Sequence, residues 1–326
     1  MESIIKRAAA VLGAVVAVGS LVAVLVLAGS DHRGLTLESV DAVAAAGIDL
    51  TAEQPLDAFQ ATLISVASHE RNLAVAACMT SAGFPQLESV QDAWFPGNPF
   101  PGLRVERGAF GPDSPTDAMR YGYMPNFLRD RGPEPPQVVS YEPEYEQALD
   151  DCVGAIRREL GSAHDDAVSD FMDLGNQLVR EFGSSLSRSD EVVLAFSDWL
   201  ACMSDRGYQG GTVNEYLTSM HPPSFFGVPT GKWTGSGPEH TSGDSGVEIL
   251  VPDQSVYEPS WGEAQLGVAD ADCKIATNLW GRVFPVLMTT QSAIVNDHAG
   301  ILATATSRIH DAIDAAESVR SAQQSP

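Results

Sequence analysis

The chain has 326 residues, with 43 Asp and Glu against 19 Lys and Arg, for a formal net charge of −24. Such a surface repels phosphate backbones and anionic headgroups, which excludes nucleic acid as a partner and leaves only a hydrophobic segment for membrane contact. Hydrophobic residues at 44% supply ample material for a core.

Lys6 and Arg7 precede an apolar run from Ala8 to Gly29. Its length, about 22 residues, suffices to cross a bilayer as a helix and exceeds a usual signal-peptide core. The flanking cations place the N-terminus in the cytoplasm. Residues 1–30 are therefore read as a signal anchor of a single-pass cell-membrane protein, with the main body extracytoplasmic. Cleavage near Ala28 is the alternative and would release a secreted protein. Ser30 stands where a bacterial lipoprotein carries its lipidated cysteine, so thioether lipidation is excluded. Residues 31–55 form a polar, alanine-rich stalk.

Four cysteines follow, Cys78, Cys152, Cys202 and Cys273, and an even number in an oxidising compartment reads as disulfides. None has C-x-x-C spacing, and the seven histidines form no metal-binding pattern. The cysteines mark a duplication. Cys78-Met79-Thr80-Ser81-Ala82-Gly83-Phe84 matches Cys202-Met203-Ser204-Asp205-Arg206-Gly207-Tyr208, and Tyr-Glu-Pro precedes the second cysteine in each half, at Tyr141 and at Tyr257. The separations within the halves are about 74 and about 71 residues. Pairing Cys78 with Cys152 and Cys202 with Cys273 respects the repeat; two other pairings are open.

The motif itself is a helix stop. Apolar, helix-favouring residues lead up to each first cysteine. Gly83 and Gly207 supply the left-handed residue past the cap, and Phe84 and Tyr208 close onto Met79 and Met203. The returning segments, Glu144 to Leu160 with Gly161 as its stop and Glu263 to Leu279, also carry helical periods. The expected fold is mainly α: an N-terminal transmembrane helix, a clasped module over 56–162, a connecting helix over 163–189, a second clasped module over 190–283, and a C-terminal amphipathic helix and tail over 284–326 opened by Pro285. Between the helices of each module runs a long excursion rich in Pro, Gly and Ser, with a short strand expected around Val247 to Val251. Its aromatics, Trp94, Phe95, Tyr121, Tyr123, Phe225, Phe226 and Trp233, are candidates for a binding face, against the simpler reading that they pack the loops onto the helices.

Catalytic signals are weak. Gly243-Asp244-Ser245-Gly246 is similar to the nucleophile loop of chymotrypsin-like proteases, whose chemistry requires a histidine and an aspartate aligned behind the serine. Ala67-Ser68-His69-Glu70 falls in an expected helix and does not reproduce the family's histidine motif, and strands are too few for two β-barrels. Asp270 and Asp272, two apart on a helix, point to different faces and make a poor carboxylate pair. No Walker loop, dinucleotide fingerprint or EF-hand is present, and no cofactor is expected.

Taken together, Trp199 and the Cys-Met-x-x-x-Gly-aromatic motif after it, Val268-Ala269-Asp270-Ala271-Asp272-Cys273, and Gln291 with Asn296 resemble a pattern in uncharacterised secreted proteins and lipoproteins of high-GC Gram-positive bacteria. The resemblance covers about residues 190 to 300 well and the first half only through its cysteines. It implies an envelope location and disulfide pairing, and it brings no catalytic residues. The resulting expectation is a non-catalytic binding or accessory protein of the envelope, acting on an envelope or membrane protein partner through its loops. A hydrolase using Ser245 and a purely structural spacer are the alternatives.

Overall fold

The computed structural model describes residues 41–92, 97–124, 137–140, 142–218, 222–235, 239–242, 247–251 and 256–324. The apolar run read as a membrane anchor lies outside them, as do Trp94, Phe95 and Ser245. Among the described residues no helix is long and apolar enough to cross a membrane. Residues Val40–Pro326 form one compact unit.

The unit is mainly helical, as the periodicity predicts. A short helix α1 (Ala42–Ala45) and a 3₁₀ turn (Pro55–Phe59) precede α2 (Leu63–Ser81) and α3 (Gln86–Asp92). Then come a 3₁₀ turn (Pro101–Leu103), α4 (Pro115–Tyr121), strand β1 (Gln137–Ser140) and the long α5 (Pro143–Leu186). The second half runs α6 (Asp190–Asp205), α7 (Val213–Thr218), α8 (Pro222–Phe225), β2 (Lys232–Thr234), β3 (Glu239–Ser242), β4 (Val247–Val251) and β5 (Val256–Glu258). It closes with α9 (Trp261–Ala276) and α10 (Leu279–Gln323).

Both helix stops form as expected. Gly83 and Gly207 take φ of 96° and 90°, where a Cβ would be strained. The amide of Phe84 donates to Met79 O at 2.8 Å and that of Gly83 to Thr80 O at 3.1 Å. Tyr208 and Gly207 make the same pair of bonds to Met203 O and Ser204 O, at 3.0 and 2.9 Å. These are the two bonds of a Schellman terminus. The disulfides follow the repeat, Cys78 to Cys152 and Cys202 to Cys273, with Cα–Cα distances of 5.7 and 5.8 Å.

Gly161 is also a stop, but the chain resumes a helix at once. Its φ of 67° and ψ of −176° break α5 into two arms, one before and one after the glycine. Two boundaries differ from expectation. The returning helix of the second half ends at Ala276, because Asn278 turns left-handed with φ 49°. The C-terminal helix starts at Leu279, six residues before Pro285, which lies inside it. A proline there removes one backbone bond near the helix start, while buried Leu279, Trp280 and Val283 anchor that turn. Of the expected apolar stripe on α10, Ile294, Leu302, Ile309 and Ile313 are buried, whereas Ile301 is exposed.

The halves share one main core. It joins Phe59, Phe171, Phe196, Trp199, Trp280 and Ile309 from both, together with the Cys202–Cys273 clasp. The Cys78–Cys152 clasp sits in a smaller cluster with Val75, Met79, Tyr145 and Ile156. The excursions meet as well: β1 of the first pairs antiparallel with β4 of the second, which pairs with β3, with Val138 opposite Ile249. The expected strand at Val247 to Val251 is thus the centre of a three-stranded sheet, and β2 pairs separately with β5.

Candidate binding cleft

The described part of the first excursion is held by buried polar side chains that answer its backbone groups. Gln54 Nε2 donates to Val105 O at 2.8 Å, and Val105 N donates back to Gln54 Oε1 at 2.9 Å. Gln291 on α10 donates to Leu103 O at 3.0 Å. Lys274 Nζ, wholly buried, donates to Pro112 O at 2.8 Å and to Asp270 Oδ2 at 3.2 Å. Asp113 accepts from Trp280 Nε1 and from Gly108 N, both at 2.7 Å. Glu263 accepts from Tyr123 N at 2.9 Å, from Gly231 N at 2.6 Å and from Tyr257 OH at 2.7 Å. Each bond satisfies a group that would otherwise be stranded away from water, so this loop is a fixed cover of the core. Burial, and then the neighbouring Glu263 carboxylate, raise the Tyr257 hydroxyl, which stays protonated and donating. Burial likewise raises Asp113 and carries Asp270 up to about 6 despite the opposing pull of Lys274.

Three of the five described candidate loop aromatics pack into or against the main core. Tyr123 and Phe226 are buried in the main core and Phe225 packs against it. Tyr121 is half-buried beneath the Arg120 guanidinium, 4.9 Å from its ring centre. Trp233 alone among these is more than half exposed, at 52%, edge-on to Tyr257. Asp270 does not pair with Asp272: it accepts from Trp199 Nε1 at 2.9 Å inside the core, while Asp272 pairs with Arg206 at the surface. Among the described residues no cluster of three or more His, Cys, Asp or Glu stands close enough to hold a metal ion.

A cleft lies elsewhere. The break at Gly161 splays the two arms of α5, and α2 and α3 complete a cleft of about 740 Å³. Its walls are Val75 on α2, Leu87 on α3, Leu149, Val153, Ile156 and Leu160 on the first arm, and Val168 and Met172 on the second. No aromatic side chain lines it. Val153 and Met172 are 46% and 37% exposed, although both belong to apolar faces of their helices. Charged groups gather toward the break: Arg71, and Arg157 ion-paired with Asp165 at 3.1 Å. Behind them His164 is buried, with neither ring nitrogen hydrogen-bonded and its Nδ1 3.7 Å from Asp165 Oδ1. Burial, and next the charge of Arg71, hold the His164 imidazole below its ordinary pKa.

None of the five described loop aromatics lines this cleft. Sequence reasoning missed it because Val153 and Met172 carry ordinary helical periodicity. The signal available was Gly161, which marks a turn between two apolar faces and not merely an end. No protein-family model, curated protein or solved structure matches the chain.

Proposed function

We propose that this is a non-catalytic, extracytoplasmic envelope protein, anchored by its N-terminal apolar run, that binds an apolar small molecule in the cleft between the arms of α5. The observation that carries the reading is the cleft itself. Its volume of about 740 Å³ falls in the range of ligand pockets, and its aliphatic side chains include Val153 and Met172, which face water. Rigid walls support the reading, since the Cys78–Cys152 clasp ties α2 to the first arm beside Val75 and Val153. Two disulfides suit an oxidising compartment, and so favour the extracytoplasmic side. The site differs from the one first expected, and the described part of the first excursion is bonded down over the core.

A fluorescent naphthylamine probe tests this. Saturable binding near one probe per chain is expected, and Val153→Trp, which fills the cleft, should abolish it. Unchanged binding to Val153→Trp would place the site elsewhere and sink the proposal.

A further inference from the structure

Resting on the cleft reading, we infer that the ligand is a long-chain fatty carboxylate, with its head at Arg71 and its chain along the two arms of α5. Three observations converge. The apolar part of the lining is aliphatic, Val, Leu, Ile and Met without a ring, so the cleft offers no stacking surface for an aromatic or fused-ring ligand and adapts to a flexible chain. Arg71 is half-buried, and among the described residues no carboxylate pairs with it, in a chain where Asp and Glu outnumber Lys and Arg 43 to 19. Arg157, by contrast, is 75% exposed and already taken by Asp165. An unpaired, half-buried guanidinium beside an aliphatic cleft has its natural complement in a single carboxylate, which it holds by two charge-assisted hydrogen bonds.

The remaining charges narrow the head group. With Asp165 neutralised by Arg157, Arg71 is the available positive pole at the break. Asp173, also in the lining, lies two helical turns along the arm, about 12 Å from Asp165, and repels a second anionic group placed there. A fatty acid has one charge at one end and none along its chain. That is the distribution these walls accept.

The test uses the full chain with phosphatidylcholine vesicles present, and palmitate carrying a mid-chain diazirine as photoaffinity probe. Expected adducts fall on peptides containing Val153 or Met172. Arg71→Gln should lower labelling about tenfold at subsaturating probe, and Arg71→Lys should restore part of it. Val153→Trp should abolish labelling. Excess palmitate should compete, while hexadecanamide and hexadecylamine should compete poorly. If Val153→Trp abolishes labelling but Arg71→Gln and the uncharged amide change nothing, the cleft stands and the carboxylate assignment falls. Better competition by hexadecylamine also overturns that assignment. If Val153→Trp labels like the wild type, the cleft reading itself fails.

Discussion

Trp199 on α6 donates its indole N–H to Asp270 on α9, 2.9 Å away across 71 residues of sequence, and both side chains are fully buried. The same carboxylate holds Lys274, whose ammonium reaches the carbonyl of Pro112 in the first excursion. One charged pair therefore ties together the second clasp and the loop of the first half.

Removing one member of that pair should be far worse than removing both. Lys274→Met leaves the Asp270 carboxylate in the core without its cation, a loss of about 3–5 kcal/mol. Lys274→Met combined with Asp270→Asn leaves no unpaired charge and should recover a large part of it. Urea unfolding with the disulfides intact measures both. A double-variant loss equal to the sum of the Lys274→Met and Asp270→Asn single losses would show that the pair is not energetically coupled.

Asp270 and His164 should pull acid stability in opposite directions. Burial lifts Asp270 from 3.8 to about 6, so its protonated form is favoured in the fold. That contribution is full below pH 3.8 and is lost as pH rises through about 6. From pH 7 to 5 the fold therefore gains on the order of 1 kcal/mol from this group. His164 is held below its ordinary 6.5, so the fold prefers it neutral, and its contribution is lost as pH falls below 6.5. Asp270→Asn should unmask the acid loss, and His164→Leu should unmask the acid gain, in urea midpoints at pH 5, 6 and 7. Curves parallel to the wild type for either variant would show that its group does not titrate differentially there.

Gly175→Ala should destabilise the protein, although alanine is the better helix former by about 0.5–1 kcal/mol. A Cβ at 175 would stand 2.3 Å from the Phe100 ring. That ring packs edge-on to Phe59, at 5.5 Å between centroids, and Phe59 stacks on Phe171 at 4.4 Å. Forcing it outward costs about 1–3 kcal/mol, which exceeds the propensity gain. A raised melting temperature for Gly175→Ala would show that Phe100 yields freely.

The two clasps should differ in reach, despite nearly equal loops of 74 and 71 residues. Loop entropy assigns each about 4 kcal/mol. Cys273, however, lies in the main core and Cys152 in the smaller cluster. Cys78→Ala with Cys152→Ala should raise hydrogen exchange in α2, α3 and the first arm of α5 while α6 and α9 stay protected. Cys202→Ala with Cys273→Ala should loosen both regions. Identical exchange maps for the two double variants would contradict the division of the core.

Local features were legible in the residues. Gly83 and Gly207 had to end helices, because only glycine takes a left-handed turn cheaply, and the sulfur and aromatic residues around them fit that terminus. The cysteine repeat pointed to the pairing that forms, and the apolar periods located most helices. Boundaries at Asn278 and Pro285 were misjudged because a short polar residue can adopt a left-handed turn and packing can hold a proline inside a helix. Only the tertiary structure decided that Gly161 opens a cleft, that Asp270 faces the core, and that Tyr123 and Phe226 of the excursions are buried. Periodicity says which side of a helix is apolar, but not whether another element covers it. That depends on contacts such as Lys274 to Pro112, between groups 162 residues apart, which no local pattern encodes.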